Sequence, residues 1–85
     1  MNIQELFGVT IRKIRNEIGI SQEKFSLQIG MDRTYYASIE AGKRNLSLIN
    51  IHKIAKGLHI PLSALFHRIE SSPDYNLIKG DINGN

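Results

Sequence analysis

Ile3, Leu6, Phe7, Ile11, Ile14 and Ile18 recur at three- and four-residue spacings, the stripe of an amphipathic helix that buries one face. The spacing predicts a helix over 3–18, ended by Gly19, which can take the left-handed conformation of a helix C-terminus. A second short helix is expected over about 22–29 with Phe25 and Ile29 inward, and a third over about 33–40 with Tyr36 and Ile39 inward. Between them Gly30 permits the positive φ that a sharp reversal tends to require. A fourth helix, about 48–58, carries Leu48, Ile51, Ile54, Ala55 and Leu58 on one face. Pro61 stops it and opens a short fifth helix bearing Leu62, Leu65, Phe66 and Ile69, proline being tolerated in a first helical turn.

Three of these helices share a start signal. Ser21, Asp32 and Ser47 each offer a short side-chain oxygen to a free N–H of the first turn. Each is bracketed by an apolar pair placed as a hydrophobic staple: Ile20 with Phe25, Met31 with Tyr36, Leu46 with Ile51. None of the three has Glu or Gln at the third helical position, so no reciprocal capping box is expected there. Beyond Glu70 the sequence SSPDYNLIKGDINGN is rich in turn formers and has only Tyr75, Leu77, Ile78 and Ile82 as apolar anchors. The expected organisation is an all-α, five-helix domain over 1–69 followed by a tail over 70–85 that is ordered at most in part.

At 85 residues the chain is one domain, of a size at which a lone core is marginal and association with a second copy is a common remedy. It has no cysteine, so neither a disulfide framework nor a zinc finger stabilises it, and a cytoplasmic location is expected. No apolar run is long enough to cross a bilayer. A basic amphipathic helix can lie on a membrane, but Glu5 and Glu17 interrupt the positive face of the first helix. The net charge of +3 divides unevenly: residues 1–69 carry +5 and residues 70–85 carry −2. A basic folded part suits a polyanion without identifying one. His52, His59 and His67 are the only residues that invite a metal or catalytic reading; Pro61 breaks any common helix and no acid sits at a ligand spacing. No metal, cofactor or enzyme activity is expected, and no glycine-rich phosphate loop or nucleophile motif is present.

The stretch from Ser21 to Asn45, SQEKFSLQIGMDRTYYASIEAGKRN, has the layout of a helix-turn-helix. In that motif the second helix enters the DNA major groove with its N-terminal residues at base edges while the first crosses the backbone. Burying Tyr36 and Ile39 leaves Thr34, Tyr35, Ala37 and Ser38 outward, with Arg33 at the open end and Lys43 and Arg44 behind. A helix this short must be held by tertiary packing.

From Ile11 to Phe66, IRKIRNEIGISQEKFSLQIGMDRTYYASIEAGKRNLSLINIHKIAKGLHIPLSALF resembles the lambda-repressor-like, or Xre/Cro, helix-turn-helix family. The likeness includes IRKIR, ISQEKF, the Gly30 turn, IEAGKRN and IAKGL at once. Within the family, DRTYYASIEAGKRNLSL is most similar to the controller proteins of restriction-modification systems, whose recognition helix opens on Arg-Thr-Tyr. The resemblance implies that Arg33 and Thr34 read bases, with Tyr35 and, more weakly, Ser38 beside them. It implies that Gln22, Lys43, Arg44 and Asn45 grip phosphates. Arg15 and Glu40 match a family pair that forms a partly buried salt bridge. The competing reading for Arg33 is a phosphate contact that only positions the protein; for Lys43 and Arg44 it is a solvated basic loop.

The apolar surface of the last helix exceeds what a small core can cover, so Leu62, Leu65, Phe66 and Ile69, with Ile49, form the expected homodimer seam. The function expected is a dimeric, sequence-specific transcriptional regulator on a double-stranded operator, cytoplasmic and nucleoid-associated. Two alternatives remain open: a stand-alone phage-type repressor, and an antitoxin whose tail engages a protein partner.

Overall fold

The structure, a computed structural model, describes residues 1–78; Ile82 lies outside them. Helices α1 (Ile3–Ile18), α2 (Gln22–Gln28), α3 (Arg33–Glu40), α4 (Leu48–Gly57) and α5 (Leu62–Glu70) follow in order, then a 3-10 turn at Pro73–Leu77. Ser21 Oγ accepts from the Lys24 N–H at 3.1 Å, Asp32 Oδ2 from the Tyr35 N–H at 3.0 Å, and Ser47 Oγ from the Asn50 N–H at 3.1 Å. These bonds satisfy donors that the first turn of each helix leaves free. A fourth start has the reciprocal box that the other three lack: Asn2 Oδ1 accepts from the Glu5 N–H at 2.8 Å, and the Asn2 N–H donates to Glu5 Oε1 at 2.9 Å. At their C-termini α2 and α4 each stop one residue short of expectation, with Ile29 and Leu58 as caps.

The inward residues of all five helices meet in one core of Leu6, Phe7, Ile11, Ile14, Phe25, Tyr36, Ile39, Ile54, Ala55, Leu58, Leu65 and Ile69. The Phe25 and Tyr36 rings pack at 5.1 Å between centroids, inclined by 54°, and so fix α2 against α3. Burying a side chain of this size contributes about 1.5–3 kcal/mol.

Several apolar residues do not go where the periodicity places them. Ile3 and Ile18, at the two ends of the 16-residue α1, are exposed. Leu48, at the first turn of α4, is also exposed, and only Ile54, Ala55 and Leu58 of its expected face are buried. The dimer seam needs the largest correction. Leu65 is 0% and Ile69 3% exposed; α5 packs on α1 and α4, and this i, i+4 pair closes the protomer's own core. Neither presents surface to a second copy. Ile49, 71% exposed, and Phe66, 39% exposed, still face outward, with Leu62 half-buried. The 3-10 turn after α5 lies on α1, and Ile78 packs against the core.

Two backbone positions set how closely the helices meet. A Cβ at Gly8 would lie 2.4 Å from the Glu40 carbonyl oxygen and 2.5 Å from that of Ile39, so the middle of α1 touches the C-terminal turn of α3 backbone to backbone. His59, just past α4, takes φ 60°, a left-handed conformation that glycine adopts without steric cost. Gly8→Ala is therefore expected to destabilise by about 1–3 kcal/mol although alanine is the better helix former. His59→Gly is expected to stabilise by roughly 0.5–2 kcal/mol. Urea unfolding measures both, and a Gly8→Ala protein as stable as the wild type would contradict the close approach of α1 and α3.

Candidate nucleic-acid interface

Gly30, at φ 67°, turns the chain from α2 into α3 so that Arg33 and Thr34 sit exposed at the first turn of α3. The opposite side of α3 is anchored by Tyr36 and Ile39, at 0% and 1% exposure. The buried phenol of Tyr36, next to the Glu40 carboxylate, makes no hydrogen bond of normal geometry; burial pushes its pKa up, so it stays neutral.

The C-terminal end of α3 is fixed by charge. Arg15 Nε donates to Glu40 Oε2 at 2.7 Å and Nη2 to Oε1 at 3.0 Å, while Nη1 donates to the Ile20 carbonyl at 2.8 Å. Gln22 Nε2 donates to the same Glu40 Oε1 at 3.0 Å. One carboxylate thus ties α1 and the start of α2 to α3, and Arg15 ties the α1–α2 link to the same junction. Burial acts to raise the Glu40 pKa, but its donors, Arg15 foremost, outweigh that and hold the carboxyl below the usual carboxylate range. The hydrogen bond to Glu40, against the opposing effect of burial, raises Arg15 above the usual guanidinium value.

Around this anchor the expected contact residues divide. Arg33 and Thr34 are free to reach a ligand; Arg33 makes only a loose, exposed pair with Glu23 at 3.6 Å, of a kind that contributes little. Tyr35 and Ser38 are half-buried and engaged inside the protein. Ser38 Oγ donates to the Tyr35 carbonyl at 2.6 Å and accepts from Arg44 Nε at 2.9 Å. The Arg44 guanidinium lies over the Tyr35 ring, 5.1 Å from its centroid, and the Tyr35 hydroxyl accepts from Asn50 Nδ2 at 3.2 Å. Lys43, Arg44 and Asn45 are exposed in the loop after α3, and Gln22 is half-buried at the start of α2. Arg12 on α1, Arg33 on α3 and Lys43 and Arg44 in the α3–α4 loop are exposed cations, with the carboxylates of Glu23 and Asp32 exposed beside Arg33; exposed cations of this kind suit a polyanion.

The helix-turn-helix family profile matches residues 11–65. The control protein C.MunI of a Mycoplasma species is 54% identical over 70 residues, which are 81% of this chain and 95% of that protein. Among solved structures, the restriction-modification controller protein C.AhdI from Aeromonas hydrophila superposes with a TM-score of 0.71 at 41% identity, covering 74% of this chain and 96% of that one. The controller protein C.Esp1396I, solved as a tetramer in complex with its natural 35-base-pair operator, gives a TM-score of 0.74 at 33% identity, covering 79% of this chain and 88% of that one. This chain belongs to the helix-turn-helix family of control proteins.

Two residues of this control protein's candidate interface escape the sequence reading. Arg12 is exposed and lines an open crevice with Arg15, Gln22, Ala37, Glu40 and Ala41, at the junction of α1, α2 and α3. The signal for it was available: it lies one helical turn before Arg15, on the same face of α1. Asn50 carries no such signal, because its partner Tyr35 lies 15 residues away and only the packing of α4 beside α3 brings them together.

The anchor makes a prediction about pH. The folded-state pKa of Glu40 is depressed below its ordinary 4.5, so the stability this group supplies is fully present above that value and is lost as pH falls through the folded pKa. Arg15→Ala, which leaves the carboxylate buried without its main donor, is expected to cost about 3–5 kcal/mol near neutral pH. Glu40→Gln should remove the acid-sensitive part, so the gap between it and the wild type narrows as pH drops below about 4.5. A gap independent of pH in urea unfolding would contradict the assignment.

Proposed function

We infer that this protein is a sequence-specific DNA-binding regulator of transcription, a controller of a restriction-modification operon that binds a near-palindromic operator as a homodimer. The observation that carries the reading is the exposed first turn of α3, with Arg33 and Thr34 outward while Tyr36, Ile39 and Glu40 are locked behind them. It is supported by the similarity to control proteins, one of which is solved on its operator.

In this reading Arg33 bonds guanine O6 and N7 together, and Thr34 bonds a base or touches a thymine methyl. Tyr35 and Ser38 shape the same face. Gln22, Lys43, Arg44 and Asn45, with Arg12 added from its place in the crevice beside Gln22, contact phosphates, which position the helix without reading sequence. The dimer forms through the outward residues of α4 and α5, Ile49 and Phe66 with Leu62 at the margin. That pairing sets two α3 helices in successive major grooves about 34–36 Å apart. A protein of this kind works by occupancy and not by catalysis, and its place is on the cytoplasmic nucleoid.

Selection from random duplex DNA with the purified protein tests the reading, and a two-fold-related consensus is expected. Arg33→Ala should relax the consensus at symmetry-related guanines and cost about 1–3 kcal/mol, whereas Lys43→Ala should weaken binding to all sequences and lower the salt slope by about 1. An unchanged consensus with Arg33→Ala overturns the base-reading role. Ile49→Arg, at an exposed position, is expected to give folded monomers with weakened operator binding; an unaltered dimer in sedimentation would place the seam elsewhere.

A further inference from the structure

Arg44, in the α3–α4 loop, is held from two sides. Its Nε–H donates to Ser38 Oγ at 2.9 Å, and its guanidinium sits 5.1 Å from the centre of the Tyr35 ring, within the range of a cation–π contact. Ser38 is itself fixed, its hydroxyl donating to the Tyr35 carbonyl at 2.6 Å while its own carbonyl accepts the Lys43 N–H at 2.9 Å. The Tyr35 ring that supports the guanidinium is in turn tied to α4, where Asn50 Nδ2 donates to its hydroxyl at 3.2 Å. Asn50 has a fixed base for this, since its own N–H is bonded to the Ser47 cap at 3.1 Å.

We propose that Asn50 is a positioning residue for Arg44: acting through the Tyr35 ring, it sets the angle at which the guanidinium is presented and so prepares it for the DNA backbone. The proposal rests on the phosphate-contact role inferred for Arg44 and adds a residue of α4 that does not touch the ligand. The physical reason is entropic. A free arginine side chain samples many rotamers, and ordering it on binding costs affinity that a pre-arranged side chain does not lose. The ring also makes the hold reversible, because a guanidinium stacked on an aromatic face keeps donors free for a phosphate oxygen. Without Asn50 the Tyr35 hydroxyl loses its tether, and the ring, then held by its packing on the core alone, can shift and take the guanidinium with it.

The double-mutant cycle of Asn50→Ala with Arg44→Ala, read as operator affinity, is the test, together with side-chain NMR of the free protein. Asn50→Ala is expected to weaken binding about three- to tenfold in the wild-type background and to have no further effect in Arg44→Ala. In the DNA-free protein the Arg44 Nε–H signal should be ordered and slow to exchange in the wild type and as mobile as that of Arg12 in Asn50→Ala. Tyr35→Phe, which removes the same hydrogen bond from the other side and keeps the ring, should reproduce both results and serves if Asn50→Ala does not fold. A loss of affinity that persists in full in Arg44→Ala overturns the proposal, since Asn50 would then act by another route. An Arg44 side chain whose order does not respond to Asn50→Ala overturns it as well. Failure of the wild type to prefer any duplex would instead sink the DNA-binding reading, and the NMR result would still decide whether Asn50 positions Arg44.

Discussion

A buried guanidinium and carboxylate are tolerated only where good geometry and further hydrogen bonds offset the loss of water, and the pair of Arg15 and Glu40 meets both conditions. The ion pair is two-pronged, the third arginine donor goes to the Ile20 carbonyl, and Glu40 takes a further bond from Gln22. Because these groups come from α1, the α1–α2 link, α2 and α3, the pair decides how the helices are arranged more than it decides how stable they are. An eight-residue α3 has little stability alone; the ion pair at one end and the Asp32 cap at the other define where its exposed first turn points.

The same junction explains the demand for glycine at position 8. Its Cα faces the carbonyl oxygens of Ile39 and Glu40, the last turn of the helix that the ion pair secures. A side chain there would push α3 away from α1 and stretch the bonds between Arg15 and Glu40. Polar fixation and close backbone packing are therefore one constraint, and the aromatic contact of Phe25 with Tyr36 completes it on the α2 side. From this fixed end to the free end of α3 the surroundings change from buried and tightly paired to exposed and only loosely paired.

Much of this was legible in the chain. Helix positions followed from three- and four-residue spacings, and the starts at Ser21, Asp32 and Ser47 from cap chemistry, because both are local signals that tertiary structure only reinforces. The box at Asn2 is just as local, with Asn and Glu standing three apart at the start of α1. Periodicity failed where it had to choose between two partners for an apolar face. It marks Leu65 and Ile69 as apolar but cannot say whether the protomer's own helices or a second copy covers them, and the structure buries them in the protomer's core, where α5 packs on α1 and α4. The exposure of Arg33 and Thr34 at the start of α3 follows from the spacing of Tyr36 and Ile39, but the ties among Tyr35, Ser38, Arg44 and Asn50 do not, because they depend on how α4 packs beside α3 and on side-chain directions that spacing does not encode.

In the function proposed for this protein, the free end of α3, and not some other surface, meets duplex DNA. Amide NMR titration of the protein with its selected operator and with a scrambled duplex of equal length measures this directly. The account predicts slow-exchange shifts concentrated at Gln22, Arg33 to Ser38 and Lys43 to Asn50 with the operator, and weaker, salt-sensitive shifts at the phosphate-facing residues with the scrambled duplex. Equal responses to the two duplexes, or shifts centred on Phe66 of α5 and Tyr75 of the 3-10 turn, would contradict it.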